Sequence, residues 1–269
     1  MAYNKKTWSF SFSKEHEYSY AGKYGARGEK RAKRKKATPE QIARQNQINR
    51  VNRMRRLIKA NYDKGDLWTT LKYPAGTRKS AEEMTKDLEK FLKGCRKEYK
   101  ARGEPFKFIY RMEIGKQGGS HIHILVNNPD SIKADKLLAK LWKNGSVDYT
   151  PVYRAGGFEK LAEYITKQPD EETEKQLSLF PEERKAFIRT SSSRNLIRPE
   201  PEQKEYSHRT VRKIIENGPE PTPGYYIDER SIRCGVNPYT GLSYLKYIEY
   251  LIGESPPGET EEEPPWEFW

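Results

Sequence analysis

The chain has 269 residues, 33% charged and 34% hydrophobic, with a mean hydropathy of −1.03 and a net charge of +13. No apolar run approaches the roughly 20 residues of a membrane-spanning helix, and the start Met1-Ala2-Tyr3-Asn4-Lys5-Lys6 lacks the apolar stretch of a secretion signal. Cys95 and Cys234 stand far apart without CxxC spacing, which argues against a disulfide scaffold or a cysteine zinc site and for a cytoplasmic protein.

The positive charge is concentrated. Residues 1–60 contain 17 Lys and Arg against four Glu, and the remainder holds 34 of each sign. Residues 1–22 mix aromatic and polar side chains without a clear period. The basic run 23–36, which includes Lys33, Arg34 and Lys35, is expected to contact nucleic-acid phosphates with salt-sensitive affinity. Thr38-Pro39-Glu40-Gln41 reads as a helix start, with Thr38 as N-cap and Gln41 as its capping-box partner. The helix should run to about residue 60. Ile48, Val51, Met54 and Ile58 fall near one face, and Arg44, Arg50, Arg53, Arg55 and Arg56 cover much of the rest. That pattern suits an amphipathic helix packed on a core. It also makes Arg53 and Arg56 candidates for contact with DNA.

From Asp66 the apolar pattern tightens. Strands are expected over 67–73, 106–114, 121–127 and 147–152, and helices over 80–99, 131–142 and 158–168. The order βαββαβ is that of a ferredoxin-like α+β fold, an antiparallel sheet with helices on one face. Residues 169–185 read as a linker and 187–190 as a further strand. Ser191-Ser192-Ser193-Arg194 suits phosphate oxygens and an ordinary turn equally. A helix is expected over 208–217, and an aromatic-rich accessory segment over 225–251 with a turn at 237–241. Residues 254–269 carry six Glu and no Lys or Arg, the composition of a disordered acidic tail. The resulting domain reading is a basic arm and helix (1–63), a central domain (64–200), an accessory region (201–252) and the tail (253–269).

His121 and His123 bracket Ile122 on the third of these expected strands. Side chains two apart share a strand face, so two of the chain's four histidines should project together. Glu113 precedes His121 by eight residues on the paired strand. Two imidazoles and a carboxylate with open positions suit Mn²⁺ or Mg²⁺, with Mn²⁺ favoured by the nitrogen ligands. Tyr164 and Lys167 would share a helix face at i, i+3. Taken alone, Tyr164 reads as cover for the core beside Phe158, Leu161, Ala162 and Ile165, and Lys167 as a favourable charge near a helix C-terminus.

Together these motifs resemble the HUH endonucleases, in particular the single-tyrosine replication initiators of rolling-circle plasmids and phages. His121-Ile122-His123 matches the histidine motif, Tyr164 and Lys167 match the Tyr-x-x-Lys motif, and Glu113 matches the acidic third ligand. Leu67-Trp68-Thr69-Thr70-Leu71-Lys72-Tyr73-Pro74 looks like the first motif. The resemblance covers roughly residues 64–200. It implies a divalent metal on His121, His123 and Glu113, Tyr164 as nucleophile, and Lys167 as its activator or as a partner of the phosphate. It also implies single-stranded DNA at an origin or hairpin as substrate. No GxxxxGK[ST] is present, so strand separation would draw on a host helicase and extension on a host polymerase. A transposase or relaxase shares this chemistry, although relaxases usually carry a third histidine that is absent here. A DNA-binding regulator without catalysis is the alternative of a different class.

Overall fold

The computed structural model describes residues 3–21, 36–77, 79–114, 119–152, 158–167 and 189–253. The basic residues Lys33, Arg34 and Lys35, the expected linker at 169–185 and the acidic tail from 254 lie outside them. The described residues of Met1–Asn49 and Arg198–Thr260 form one compact unit, and those of Arg50–Ile197 form another. The division falls within helix α1 (Pro39–Lys59). Its start is the expected capping box: the Thr38 amide donates to Gln41 Oε1 at 3.0 Å, and the Gln41 amide to Thr38 Oγ1 at 3.3 Å. The expected apolar stripe holds only in the second half. Val51 and Ile58 are buried, whereas Ile48 is 44% exposed.

The unit of Arg50–Ile197 contains the expected βαββαβ order: β3 (Leu67–Lys72), α2 (Ala81–Ala101), β4 (Phe108–Ile114), β5 (Ser120–Val126), α3 (Ala134–Leu141) and β6 (Val147–Pro151). The strands are ordered β6-β3-β5-β4, all antiparallel, with β7 (Arg189–Ser192) added beside β4. This is the ferredoxin-like order, and the fold is α+β. Strand alternation gives the sheet two apolar faces. Leu71, Met112, Ile122 and Ile124 point to one face, where they pack with Met84, Leu88 and Phe91 of α2 and Leu138 of α3. Ser80 caps α2 in a reciprocal box with Glu83. Trp68, Ile109 and Leu125 point the other way and are also buried. The short helix α4 (Glu159–Thr166) supplies contacts on this second face: Tyr164 meets the Trp68 ring edge-on, with centroids 5.9 Å apart. Phe158 caps α4 at a φ of +66°, a left-handed conformation that costs an aromatic residue about 1–3 kcal/mol, offset here by its burial.

Gly145, before β6, holds β3 in place. A Cβ there would collide with the Lys72 carbonyl, which accepts from Trp142 Nε1 at 3.1 Å. Gly145→Ala should therefore destabilise the protein by about 2 kcal/mol or more and displace the end of β3. Thermal unfolding checks the first effect and amide exchange at Lys72 the second.

The other unit was not legible as a domain in the sequence. Residues 1–22 and the accessory region do not stand apart, because β1 (Tyr3–Ser9) and β2 (Ser13–Tyr20) form a hairpin within the sheet of the C-terminal strands. Those strands are β8 (Glu202–Tyr206), β9 (Tyr225–Ile227), β10 (Arg233–Asn237) and β11 (Leu242–Leu251), in the order β10-β11-β2-β1-β8 with β9 also on β11. Asn237 shapes the expected turn between β10 and β11, its Oδ1 accepting from the amides of Tyr239 and Thr240. Helix α5 (His208–Asn217) places Val211 against Tyr3, Tyr18, Leu245 and Tyr247. This shared core is the physical reason that the N-terminal segment is a structural strand pair rather than a loose arm.

Candidate metal and tyrosine site

The site stands on the α4 side of the Arg50–Ile197 sheet. Register aligns Glu113 with His121 and His121 with Lys72 in one row. The next row runs from Arg111 through His123 and Thr70 to Asp148. Each row faces one way because antiparallel partners share a face. Glu113, His121 and His123 each bring a ligand atom to a cluster within 4.8 Å.

Hydrogen bonds set the orientation of both imidazoles. His121 Nδ1 lies 3.2 Å from the Gly119 carbonyl, so it carries the proton and leaves Nε2 with its lone pair. That Nε2 is buried and has no hydrogen-bond partner. His123 Nδ1 lies 3.1 Å from Thr70 Oγ1, and the Trp68 ring stacks parallel to the imidazole at 5.4 Å. Such bonds to the distal nitrogen fix tautomer and aim in metal-binding histidines. An orphaned buried nitrogen, a second imidazole and a carboxylate fit a divalent cation.

Burial holds both imidazoles neutral. His123 is 1% exposed and titrates well below the ordinary histidine range, chiefly by desolvation and then through His121, Arg111 and Lys72. Burial also lowers His121, with Glu113 opposing. The unfolded chain therefore binds more protons than the folded one below about pH 6.5. In chelator, stability should be full above that pH and fall as pH drops, His123 contributing a slope of up to about 1.4 kcal/mol per pH unit. Urea midpoints at about pH 7.5 and about pH 5, with His123→Gln as control, measure this.

Tyr164 reaches the same cluster. Its hydroxyl is 2.8 Å from His123 Nε2 and 3.3 Å from Glu113 Oε2, so its single proton has two acceptors. Burial pushes the phenol well above its usual range and the Glu113 charge adds to this, with Arg111 opposing. Lys167 falls one residue past the end of α4, as its C-cap. It is exposed and therefore does not share a helix face with Tyr164.

Sequence reasoning missed three members of the site. Arg111 is 3% exposed and donates to Glu113 Oε2 from Nε at 3.1 Å, and to the Ile165 and Lys167 carbonyls from one terminal nitrogen at 3.0 and 2.7 Å. It ties β4 to the end of α4. A charged residue at i−2 from Glu113 on an apolar strand was the available signal. Thr70 and Trp68, which hold His123, lay within the quoted Thr-rich strand. Of the suggested phosphate contacts, Arg194 is exposed in the turn after β7, Arg53 is exposed on α1, and Arg56 is half-buried. Ser193 has a structural role, exchanging hydrogen bonds with the Phe108 backbone.

No helix among the described residues is long and apolar enough to cross a membrane. No curated protein and no solved structure gives a significant match to the chain. The stretch that holds Trp68, Thr70, Arg111, Glu113, both histidines and Tyr164 does have a counterpart: residues 66–169 match the family model of the ORF2-type Replication-associated protein.

Proposed function

We propose that this protein nicks and rejoins single-stranded DNA at a specific site through a 5′-phosphotyrosine link, and so initiates rolling-circle replication. The family match supports replication initiation in general. The observation that carries the finer reading is the Tyr164 hydroxyl within hydrogen-bond reach of His123 and Glu113, two members of the candidate metal set. A nucleophile beside metal ligands is the arrangement that phosphodiester transfer to tyrosine needs.

A divalent ion held by His121, His123 and Glu113, Mn²⁺ or Mg²⁺, would polarise a non-bridging phosphate oxygen. Tyr164 supplies the attacking oxygen. Its bond to phosphorus forms as the P–O3′ bond breaks. The phenolic proton leaves along the hydrogen bond to Glu113, and a proton from water completes the 3′-OH. The raised pKa of the phenol means that the metal-free site holds Tyr164 protonated and unreactive. Arg111 keeps Glu113 and the end of α4 in position. Lys167 is exposed where a DNA phosphate can reach it. The phosphotyrosine link retains phosphodiester energy, so a 3′-OH can reverse the step and join strands. Arg53, Arg56, Arg194 and the basic run with Lys33, Arg34 and Lys35 are assigned to phosphate contacts along the strand. Host helicase and polymerase would complete replication in the cytoplasm.

Covalent capture tests the reading. The protein is incubated with Mn²⁺ and single-stranded DNA tiled across the region around its own gene, then resolved on a denaturing gel. An SDS-resistant adduct is expected with one tile. Salt-sensitive DNA binding without any adduct would leave a regulator in place of the nuclease.

A further inference from the structure

A groove of about 400 Å³ opens on the site face between β3 and β6, lined by Trp68, Thr70, Val147, Asp148, Tyr149 and Thr150. β6 is an edge strand of the sheet, so the groove is open to solvent along one side. Its position is fixed by the row that contains His123: Thr70 pairs with His123 on one side and with Asp148 on the other. Asp148 is thus two strand spacings, about 10 Å, from His123. Its carboxylate is paired with Lys72 through Oδ2. Oδ1 remains to accept a further hydrogen bond. Thr70 Oγ1 accepts from His123 Nδ1, which leaves the threonine's own hydroxyl proton available to the groove. Tyr149 is 47% exposed at the rim and offers a ring.

We infer that this groove is a subsite for one unpaired nucleobase next to the scissile phosphate, and that Asp148 selects a base with an exocyclic amino group over thymine. The inference rests on the nicking reading above for the identity of the strand. The physical argument is one of donors and acceptors. An ionised carboxylate only accepts, so it pairs with the amino group of cytosine, adenine or guanine and repels the O4 of thymine. Lys72 fixes the carboxylate and offsets the repulsion between Asp148 and the DNA backbone. The groove volume admits a single base, with Tyr149 as the surface on which it stacks. Because the Thr70 hydroxyl serves both His123 and the groove, the subsite and the metal ligand share a side chain.

The test is a binding selection in chelator, so that no cleavage intervenes. A single-stranded library with a randomised stretch is passed over immobilised wild-type protein, Asp148→Asn and Thr150→Val, and the bound pools are sequenced. In the wild-type pool thymine should be depleted about tenfold at one position. Asp148→Asn should abolish or reverse that depletion, because the new amide can donate to O4, while preferences at other positions persist. Thr150→Val should alter the preference at the same position only. An identical depletion in wild type and Asp148→Asn, or a wild-type pool without depletion, overturns the inference. Covalent capture is scored separately. Thymine depletion without any adduct refutes the nicking reading and leaves the base subsite standing, whereas adducts without depletion refute the subsite alone.

Discussion

Tyr164→Phe should lower covalent capture by about 10⁴-fold or more, the scale seen when a nucleophile is removed, and at the same time tighten Mn²⁺ binding about fivefold. The second effect follows from the geometry. The phenol hydroxyl is hydrogen-bonded to His123 Nε2 and Glu113 Oε2, two atoms of the candidate ligand set. A metal must break those bonds, each worth about 0.5–1.5 kcal/mol net. Without the hydroxyl the cost disappears. Isothermal titration with Mn²⁺ on wild type and Tyr164→Phe measures it. Weaker binding by the variant would instead make the phenol oxygen a ligand. An adduct that survives the substitution would move the nucleophile to another residue.

Arg111→Met should cost about 3 kcal/mol in stability and slow adduct formation by about 100-fold. Arg111 is buried, and its guanidinium satisfies Glu113 and two backbone carbonyls at the end of α4. Removing it leaves polar atoms without partners inside the protein, at about 1–3 kcal/mol each, and frees α4 to shift. A displacement of about 1 Å in a reacting group is enough for the kinetic loss. Urea denaturation and single-turnover capture separate the two effects. Arg111→Lys keeps the charge but lacks the planar fork, and should fall between the two. A variant as stable as wild type with normal capture would show that α4 is positioned by packing alone.

The central domain was legible because its signals are local. Ile122, Ile124 and Val126 alternate with His121 and His123, so period two alone placed both imidazoles on one face. The short connection then set Glu113 opposite His121, the register observed. Capping boxes at Thr38 and Ser80 marked two helix starts. Lys167 was misplaced because a periodic pattern does not say where a helix ends: the backbone turns extended at that residue. Arg111 was missed because its partners, the carbonyls of Ile165 and Lys167, are more than fifty residues away. The first strands were invisible for a similar reason. Ser13-Lys14-Glu15-His16-Glu17-Tyr18 is polar enough to read as a loop, and becomes a strand through its pairing with β1 and with residues 245–250. Tertiary context of that kind overrides propensity.

The hairpin β1–β2 also bears on how the chain is made. Its flanking partners are β8 and β11, encoded after the whole Arg50–Ile197 unit. On the ribosome, where N-terminal segments emerge first, residues 3–20 wait with both outer edges unpaired while the central unit is synthesised and folds. Such edges are templates for pairing with another chain. The lysines at positions 5, 6 and 14 and the glutamates at 15 and 17 charge the waiting strands, which is the protection against aggregation that a chain closing its sheet last would need.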